Sequence, residues 1–345
     1  MPAKRYGLLL AMAVLSGAMQ PAAAQGTSQE DFYKGKQITL IIGLGAGETY
    51  DLYARLLARH LSKHIPGEPL IIPSNKPGAG SLNAVNSLAN TAPRDGTVIG
   101  TGHRFVPLMP LLGLPGTQFD ALKLNYIGSM ARETGLCIAR KDSGFTSMND
   151  VKTREFMVGT TGAGSELTTF TATMAKMLDS KFKIVRGYLT SGEIDLAIER
   201  KELQGRCGVS YGSLRVNKPE WLQSGSMTVL IQLGLTRQPE LPDVPLIVDL
   251  VTNKDDRAAL ELMLAPASMA RPFFAPPGVP ADRIEILRKA FDETMKDPAL
   301  IEDAQKQNLD LAPTSGSDMQ AVFNRLYGLP APVLERARAL TNTQG

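Results

Sequence analysis

The stretch ITLIIGLGAGETYD, residues 38–51, decides the fold of this chain. An apolar strand pattern runs into a glycine-rich loop and then directly into a helical pattern. The segment FMVGTTGAGS, residues 156–165, repeats this arrangement about one domain further along. Such a junction presents free backbone N–H groups and the positive end of a helix dipole, and together these attract anions. Two such junctions predict two lobes that hold one anionic ligand between them.

Strand and helix patterns alternate on both sides of these junctions. This alternation predicts an α/β protein in which each lobe is a mostly parallel sheet flanked by helices. The prolines at 238–245 indicate a linker that returns the chain to its first lobe. We therefore predict lobe one from residues 25–128 and 240–345, and lobe two from residues 129–239. Two crossings form a hinge, and the cleft lies at the carboxyl ends of the strands.

The N-terminus has the pattern of a targeting segment. Lys4 and Arg5 form a charged start, residues 8–15 are mostly apolar, and a run of alanines ends at Ala24. The apolar run is shorter than the ~20 residues that a membrane-spanning helix needs. We predict a signal peptide over residues 1–24, cleaved after Ala24, and a periplasmic protein.

The charge balance argues against one large class of partners. The formal net charge of +3 falls to +1 without Lys4 and Arg5, because residues 1–24 hold no acidic side chain. Lysines and arginines form no stripe, so the sequence predicts no nucleic-acid partner. Cys137 and Cys207 fit either a disulfide in an oxidising compartment or two buried thiols, and both interpretations stay open.

Patterns for catalysis and for cofactors are weak. The loop at 43–48 differs from a dinucleotide-binding fingerprint, because Glu48 stands where a third glycine packs helix against strand. One serine, Ser210, lies in a Gly-x-Ser-x-Gly pattern at residues 208–212, but the chain has only three histidines, so few Ser–His pairs are possible. His60 and His64 share a helix face, but a metal would need a third ligand. The sequence thus predicts no catalytic residue, no metal and no cofactor, as in a binding protein.

Several polar side chains lie next to predicted strand ends or loop edges, where they could reach a ligand. The cationic candidates are Lys76, His103, Arg104, Arg206 and Arg271, and the tyrosine hydroxyl donors are Tyr50, Tyr188 and Tyr211. Each cation has an alternative interpretation as a surface or structural charge. Asp51 and Ser165 have an alternative as helix caps.

The order of the motifs resembles that of the periplasmic receptors of tripartite tricarboxylate transporters, the Bug-type solute-binding proteins. Besides the two glycine-rich loops and the signal-peptide pattern, the matching segments are NKPGAGS at 75–81, APRDG at 92–96, LPDVP at 241–245 and FAPPGVP at 274–280. They keep the family's order over nearly all of the chain.

The resemblance implies a two-lobed periplasmic-binding-protein fold, of the Venus-flytrap type, that holds carboxylated organic acids through both glycine-rich loops. Carried onto this sequence, it implies four groups of ligand-binding residues. They are Leu44, Gly45, Ala46, Gly47, Thr49 and Asp51; Gly78, Ala79, Gly80 and Ser81; Thr101, His103 and Arg104; and Thr160, Thr161, Gly162, Ala163, Gly164 and Ser165. To these we add Tyr188 and Tyr211 from their positions at loop edges.

The first loop departs from the family pattern, since Leu44, Ala46 and Glu48 interrupt its usual proline and Gly-Gly pair. A Glu48 side chain that faced the cleft would repel a carboxylate. We predict a monomeric receptor that captures a small organic acid and delivers it to a transporter of two integral-membrane subunits. Two alternatives stay open: a secreted α/β enzyme, either a hydrolase or cofactor-dependent, and a receptor that reports its ligand to a signalling partner.

Overall fold

The computed structural model describes residues 1–2, 32–162 and 165–341; the predicted signal peptide and its cleavage site at Ala24 lie outside them. The strands are β1 (Gln37–Ile42), β2 (Leu70–Asn75), β3 (Val98–Thr101), β4 (Asn125–Ser129), β5 (Gly135–Arg140), β6 (Phe156–Gly159), β7 (Phe182–Val185), β8 (Gly205–Ser210), β9 (Met227–Leu233), β10 (Pro272–Ala275) and β11 (Thr314–Ser315).

The helices alternate with these strands over most of the chain. They are α1 (Thr49–Leu61), α2 (Leu82–Asn90), α3 (Met148–Thr153), α4 (Glu166–Met177), α5 (Ser191–Glu199), α6 (Tyr211–Asn217), α7 (Pro219–Gln223), α8 (Ile247–Leu250), α9 (Lys254–Leu264), α10 (Ala281–Thr294), α11 (Pro298–Lys306), α12 (Gly316–Tyr327) and α13 (Ala331–Thr341).

The apolar patterns of the sequence form these elements for simple reasons. In β1 the alternate side chains Ile38, Leu40 and Ile42 are fully buried, as expected for a strand with one face on the core. In α1 the buried residues include Leu57 and Leu61, one turn apart on the face that packs against the sheet. The strand–loop–helix junction predicted from residues 38–51 is therefore present.

The strands form two sheets. The first has the order β11-β4-β10-β3-β1-β2, and the second has the order β7-β6-β8-β5-β9. The predicted two-lobed α/β class is confirmed, but both sheets are mixed rather than mostly parallel. β10 runs antiparallel to β3 and β4, and β5 runs antiparallel to β8 and β9. These antiparallel pairs join strands that are distant in the chain, and local patterns do not reveal the direction of such strands.

The chain leaves the first sheet after β4, builds the second sheet and returns at β10. The return segment stays beside the second sheet for some distance, because Gln232 pairs with Leu246 and α8 packs on β9. The predicted lobe boundaries at residues 128–129 and 239–240 stay a prediction.

A large apolar core continues from one sheet to the other. Phe105, just after β3, packs against Phe170 of α4 with 5.6 Å between the ring centroids. Within the second sheet, Cys137 of β5 and Cys207 of β8 are register partners, are fully buried and are joined by a disulfide.

Candidate functional site

A cleft opens between the two sheets where strands of both end. Its volume is about 910 Å³, which includes space that is open to solvent. The loops after β1 and β3 contribute its first wall, and the loop after β6 with the end of β8 contributes the opposite wall. The cleft therefore lies at the carboxyl ends of strands, as in other open α/β sheets.

The structure brings many of the predicted site residues together in this cleft. Those that line it are Leu44, Gly45, Thr49, Gly78, Gly80, Ser81, His103, Arg104 and Thr161. The predicted residues that are not among its lining are Ala46, Gly47, Asp51, Ala79, Thr101, Thr160, Gly162, Ser165, Tyr188 and Tyr211. Ala163 and Gly164 lie outside the described residues.

The first glycine-rich loop satisfies part of its own hydrogen-bonding capacity. The N–H of Gly45 donates to Oε1 of Glu48 at 3.0 Å, and the N–H of Gly47 donates to Oδ2 of Asp51 at 2.9 Å. Asp51 also accepts from Arg55 and Asn75, so it fixes the loop to β2. The first-turn N–H groups of α1, at Thr49 and Tyr50, have no partner within the helix and remain as donors beside the cleft.

The second junction meets the loop between β2 and α2. Gly78, Ala79, Gly80 and Ser81 all have positive φ, a backbone conformation that costs non-glycine residues such as Ala79 and Ser81 about 1 kcal/mol or more each. At Gly80 an added Cβ would lie 3.0 Å from Cβ of Ser165, so the two loops touch across the cleft. Ser165 itself accepts from the N–H of Thr168 and caps α4.

A buried ion cluster connects the end of β3 to the start of α4. Nη2 of Arg104 donates to Oε1 of Glu166 at 2.7 Å, and Nδ1 of His103 lies 2.6 Å from Oε2. The N–H of Arg104 donates to the hydroxyl of Tyr50. His103 and Arg104 line the cleft, but both side chains contact a carboxylate of the opposite wall.

The pKa of Glu166 shows which force dominates in this cluster. Burial alone would raise it, because a buried carboxylate loses its hydration. The charges of Arg104 and His103 outweigh burial and lower the pKa of Glu166 to about 2. Glu166 is therefore ionised at neutral pH and holds the Arg104 side chain in place.

Two further arginines line the cleft, each with a carboxylate partner. Nη1 of Arg206 donates to Asp195 at 2.6 Å. Nη2 of Arg271 donates to Glu133 at 2.6 Å, and its guanidinium lies 4.4 Å from the ring centre of Tyr50. Unlike these, Lys76 does not line the cleft and donates to Ser87 on an exposed surface.

Each of these buried guanidinium groups keeps one nitrogen without a hydrogen-bond partner among the described residues: Nη1 of Arg104, Nε of Arg206 and Nε of Arg271. A buried N–H without a partner is costly, and native structures normally satisfy it with a ligand or water. The cleft is therefore lined by three arginines whose hydrogen-bonding capacity the described residues do not fill.

Arg206 and Arg271 are cationic candidates of the sequence, but they are not among the predicted ligand-binding residues. No sequence pattern pointed to their partners Asp195 and Glu133. The same holds for the cleft residues Thr190, Ser191 and Asn217. These residues lie on elements that only the packing of the sheets brings together. His60 contacts Asp303 of α11, and His64 contacts Asp297, the residue that caps this helix.

Within the described part of the chain, no group of three or more metal-ligating side chains is clustered. Across the same residues, we find no helix with both the length and the apolar character needed to traverse a bilayer.

Comparison with known proteins finds one matching family and several related proteins. Residues 53–325 match the family described as the tripartite tricarboxylate transporter family receptor. A curated relative, the UPF0065 protein in the gbd 5' region of Cupriavidus necator, is 27% identical over 316 residues, which cover 89% of this chain and 88% of the relative.

Two solved structures share the fold. The periplasmic binding protein BugD has a TM-score of 0.68 at 19% identity, covering 89% of this chain and 97% of BugD. An R. palustris protein whose structure is described as being with adipate has a TM-score of 0.66 at 20% identity, covering 88% of this chain and 97% of that protein.

Proposed function

This chain belongs to the tripartite tricarboxylate transporter receptor family, and we propose that it captures a small organic acid in the periplasm and delivers it to a membrane transporter of that class. The observation that carries the proposal is the cleft itself. The first-turn N–H groups of α1 and three guanidinium groups lie there on elements of both sheets, and each guanidinium has a buried nitrogen without a partner among the described residues.

The donors in the cleft suit a carboxylate. Hydrogen bonds from charged donors are shorter and roughly twice as strong as those between neutral groups. The similar R. palustris structure with adipate supports an organic acid as the ligand. Binding by closure of the lobes, with bridging waters, would hold such an acid without leaving a buried charge unpaired.

A thermal-shift screen of organic acids on the purified protein tests the proposal, because a ligand that binds only the folded state raises its unfolding temperature. Arg104→Met should remove or greatly reduce the shift. Lys76→Met, a cation outside the cleft, is the matched control and should leave it unchanged. Hydrolysis of ester substrates or turnover of a nicotinamide cofactor would contradict the proposal and favour the enzyme alternative.

The remaining parts of the proposal need separate measurements. Mass spectrometry of the protein from a periplasmic fraction should give an N-terminus at Gln25, as expected for cleavage of residues 1–24. Light scattering should give the mass of a monomer. Uptake of the identified acid should require this protein together with two membrane subunits; uptake that is independent of those subunits would instead support a signalling role.

A further inference from the structure

One carboxylate at the cleft, that of Glu48, is not in contact with a cation among the described residues. Each cationic side chain of the lining, His103 included, already lies within 3 Å of a carboxylate of the protein, and His103 shares Glu166 with Arg104. The pairs are Arg104–Glu166, Arg206–Asp195, Arg271–Glu133 and Lys218–Glu199. Glu48 also lines the cleft, and within the described residues it has no cationic partner in contact.

Glu48 is held at the cleft wall by its own loop. Its Oε1 accepts from the N–H of Gly45, and no described residue donates to Oε2. The carboxylate thereby occupies a backbone N–H that the glycine-rich loop would otherwise present to an anionic ligand. Burial raises the pKa of Glu48, while the Gly45 N–H and the charges of Arg206 and His103 only partly oppose this effect.

Near Tyr50 the cleft is lined by positively charged side chains, in contrast to the negative charge at Glu48. Arg104 donates its backbone N–H to the Tyr50 hydroxyl, and the Arg271 guanidinium lies over the Tyr50 ring. Both side chains line the cleft, both are at most 5% exposed, and each has a guanidinium nitrogen without a partner among the described residues. One part of the cleft is therefore lined by positively charged side chains with unfilled hydrogen-bonding capacity, and the first loop presents an acceptor with negative charge.

We infer that the ligand is a zwitterionic aminocarboxylate, whose carboxylate accepts from Arg104 and Arg271 and whose ammonium group lies against the Glu48 carboxylate. This inference rests on the proposed function and narrows it. A dicarboxylate would place a second negative charge beside Glu48, and like charges repel more strongly in a partly buried cleft than in water. An ammonium group instead places a positive charge beside Glu48.

Pairs of compounds that differ only in one end group test the inference. Succinate pairs with 3-aminopropanoate, glutarate with 4-aminobutyrate, and adipate with 5-aminopentanoate, because each pair replaces one carboxylate by an ammonium at equal chain length. Calorimetric affinities are measured for the wild-type protein, for Glu48→Gln and for Glu285→Gln. Glutamine keeps an oxygen for the Gly45 N–H, and Glu285 is an exposed glutamate of α10.

In at least one pair, we expect the wild-type protein to bind the aminocarboxylate roughly tenfold or more tightly than the dicarboxylate. Glu48→Gln should abolish or invert this preference, and Glu285→Gln should retain it. A dicarboxylate preference in the wild type that Glu48→Gln leaves unchanged would overturn the inference but not the proposed function. Failure of both series, together with all other organic acids, to bind the folded protein would contradict the proposed function itself.

Discussion

Glu166 connects the opposite walls of the cleft through a buried ion cluster. It is 3% exposed at the first position of α4, and it pairs with Arg104 and His103 from the loop after β3. Removing one partner of a buried ion pair leaves the other charge without compensation, which typically costs about 3–5 kcal/mol. The cluster is therefore structural as well as close to the ligand.

We predict that Glu166→Gln lowers the free energy of unfolding by about 3 kcal/mol at neutral pH, because Arg104 keeps its buried charge and loses its carboxylate. The variant should also change the response to acid. The pKa of Glu166 falls from 4.5 to about 2 on folding, so its stabilising effect is complete above about pH 4.5 and is lost as the pH falls toward 2. Denaturant unfolding at several pH values should show a shallower acid limb for the variant.

Glu302→Gln is the matched control for this prediction. Glu302 pairs with Lys306 within α11, and both side chains are about two-thirds exposed. Exposed pairs of this kind contribute at most about 1 kcal/mol. Equal stabilities of the two variants across the pH range would show that the Arg104–Glu166 pair does not act as described.

At the scale of the element, the loop at 78–81 determines how closely the two walls approach. Its consecutive residues of positive φ turn the chain sharply, so that Gly80 packs on Ser165 at the start of α4. The hydroxyl of Ser81 accepts from the N–H of His103, which connects this loop to the one after β3. Strain of this kind persists where the surrounding structure holds it, and it commonly accompanies binding sites.

We predict that Gly80→Ala weakens ligand binding roughly tenfold, because its Cβ would force the loop away from Ser165. Gly113→Ala is the matched control, since Gly113 has nearly the same φ, +66° against +62°, and open space around it. Both variants should lose about 1 kcal/mol of stability from backbone strain. Only Gly80→Ala should reduce the thermal shift with ligand; equal loss of binding in both would contradict a contact across the cleft.

The disulfide between β5 and β8 also acts at the scale of the element, because it joins two strands of the second sheet. It closes a loop of about 70 residues, a separation for which the chain-entropy description gives about 4 kcal/mol. We predict that Cys137→Ala combined with Cys207→Ala lowers the free energy of unfolding by about 2–4 kcal/mol while the ligand still binds. Thiol titration of the denatured wild type should detect free thiols only after reduction; free thiols before reduction would show that the bond is absent in solution.

At the scale of the whole molecule, the chain segments that connect the sheets run side by side. The N–H of Met130 donates to the carbonyl of Arg271, and the N–H of Ala270 donates to the carbonyl of Ala131. On the cleft side, Asn217 donates to Thr49 at 2.9 Å and Arg215 pairs with Asp310 at 2.7 Å. Because the apolar core is continuous from one sheet to the other, we expect opening to be a limited rotation about these connections.

We predict that Asn217→Ala combined with Arg215→Ala shifts the protein toward a more open form. Small-angle scattering should show a larger radius of gyration than for the wild type, and ligand should restore the smaller value, because binding selects the closed population. Lys306→Ala, whose pair with Glu302 lies within one helix, is the control. Scattering curves that do not differ between the double variant and the wild type would contradict a role for these contacts in closure.

The sequence by itself determined the two strand–loop–helix junctions and the α/β class, because alternating and helical apolar periods record which side chains must be buried. It also located loops that meet in the cleft, such as those at Gly45 and Thr161, because a glycine-rich loop between a strand and a helix leaves backbone N–H groups free for an anion. The ordered motifs then indicated the family, which the match over residues 53–325 confirms.

Only the tertiary structure decided the strand directions and the charge arrangement of the cleft. The pairing of β5 with β8 and β9, and of Arg104 with Glu166, joins residues that are far apart in the chain, where no local period carries information. The orientation of Glu48 is the clearest case. Its place in the sequence allowed a side chain in the cleft or in solvent, and the hydrogen bond from the Gly45 N–H, formed in the folded loop, directs it to the cleft wall.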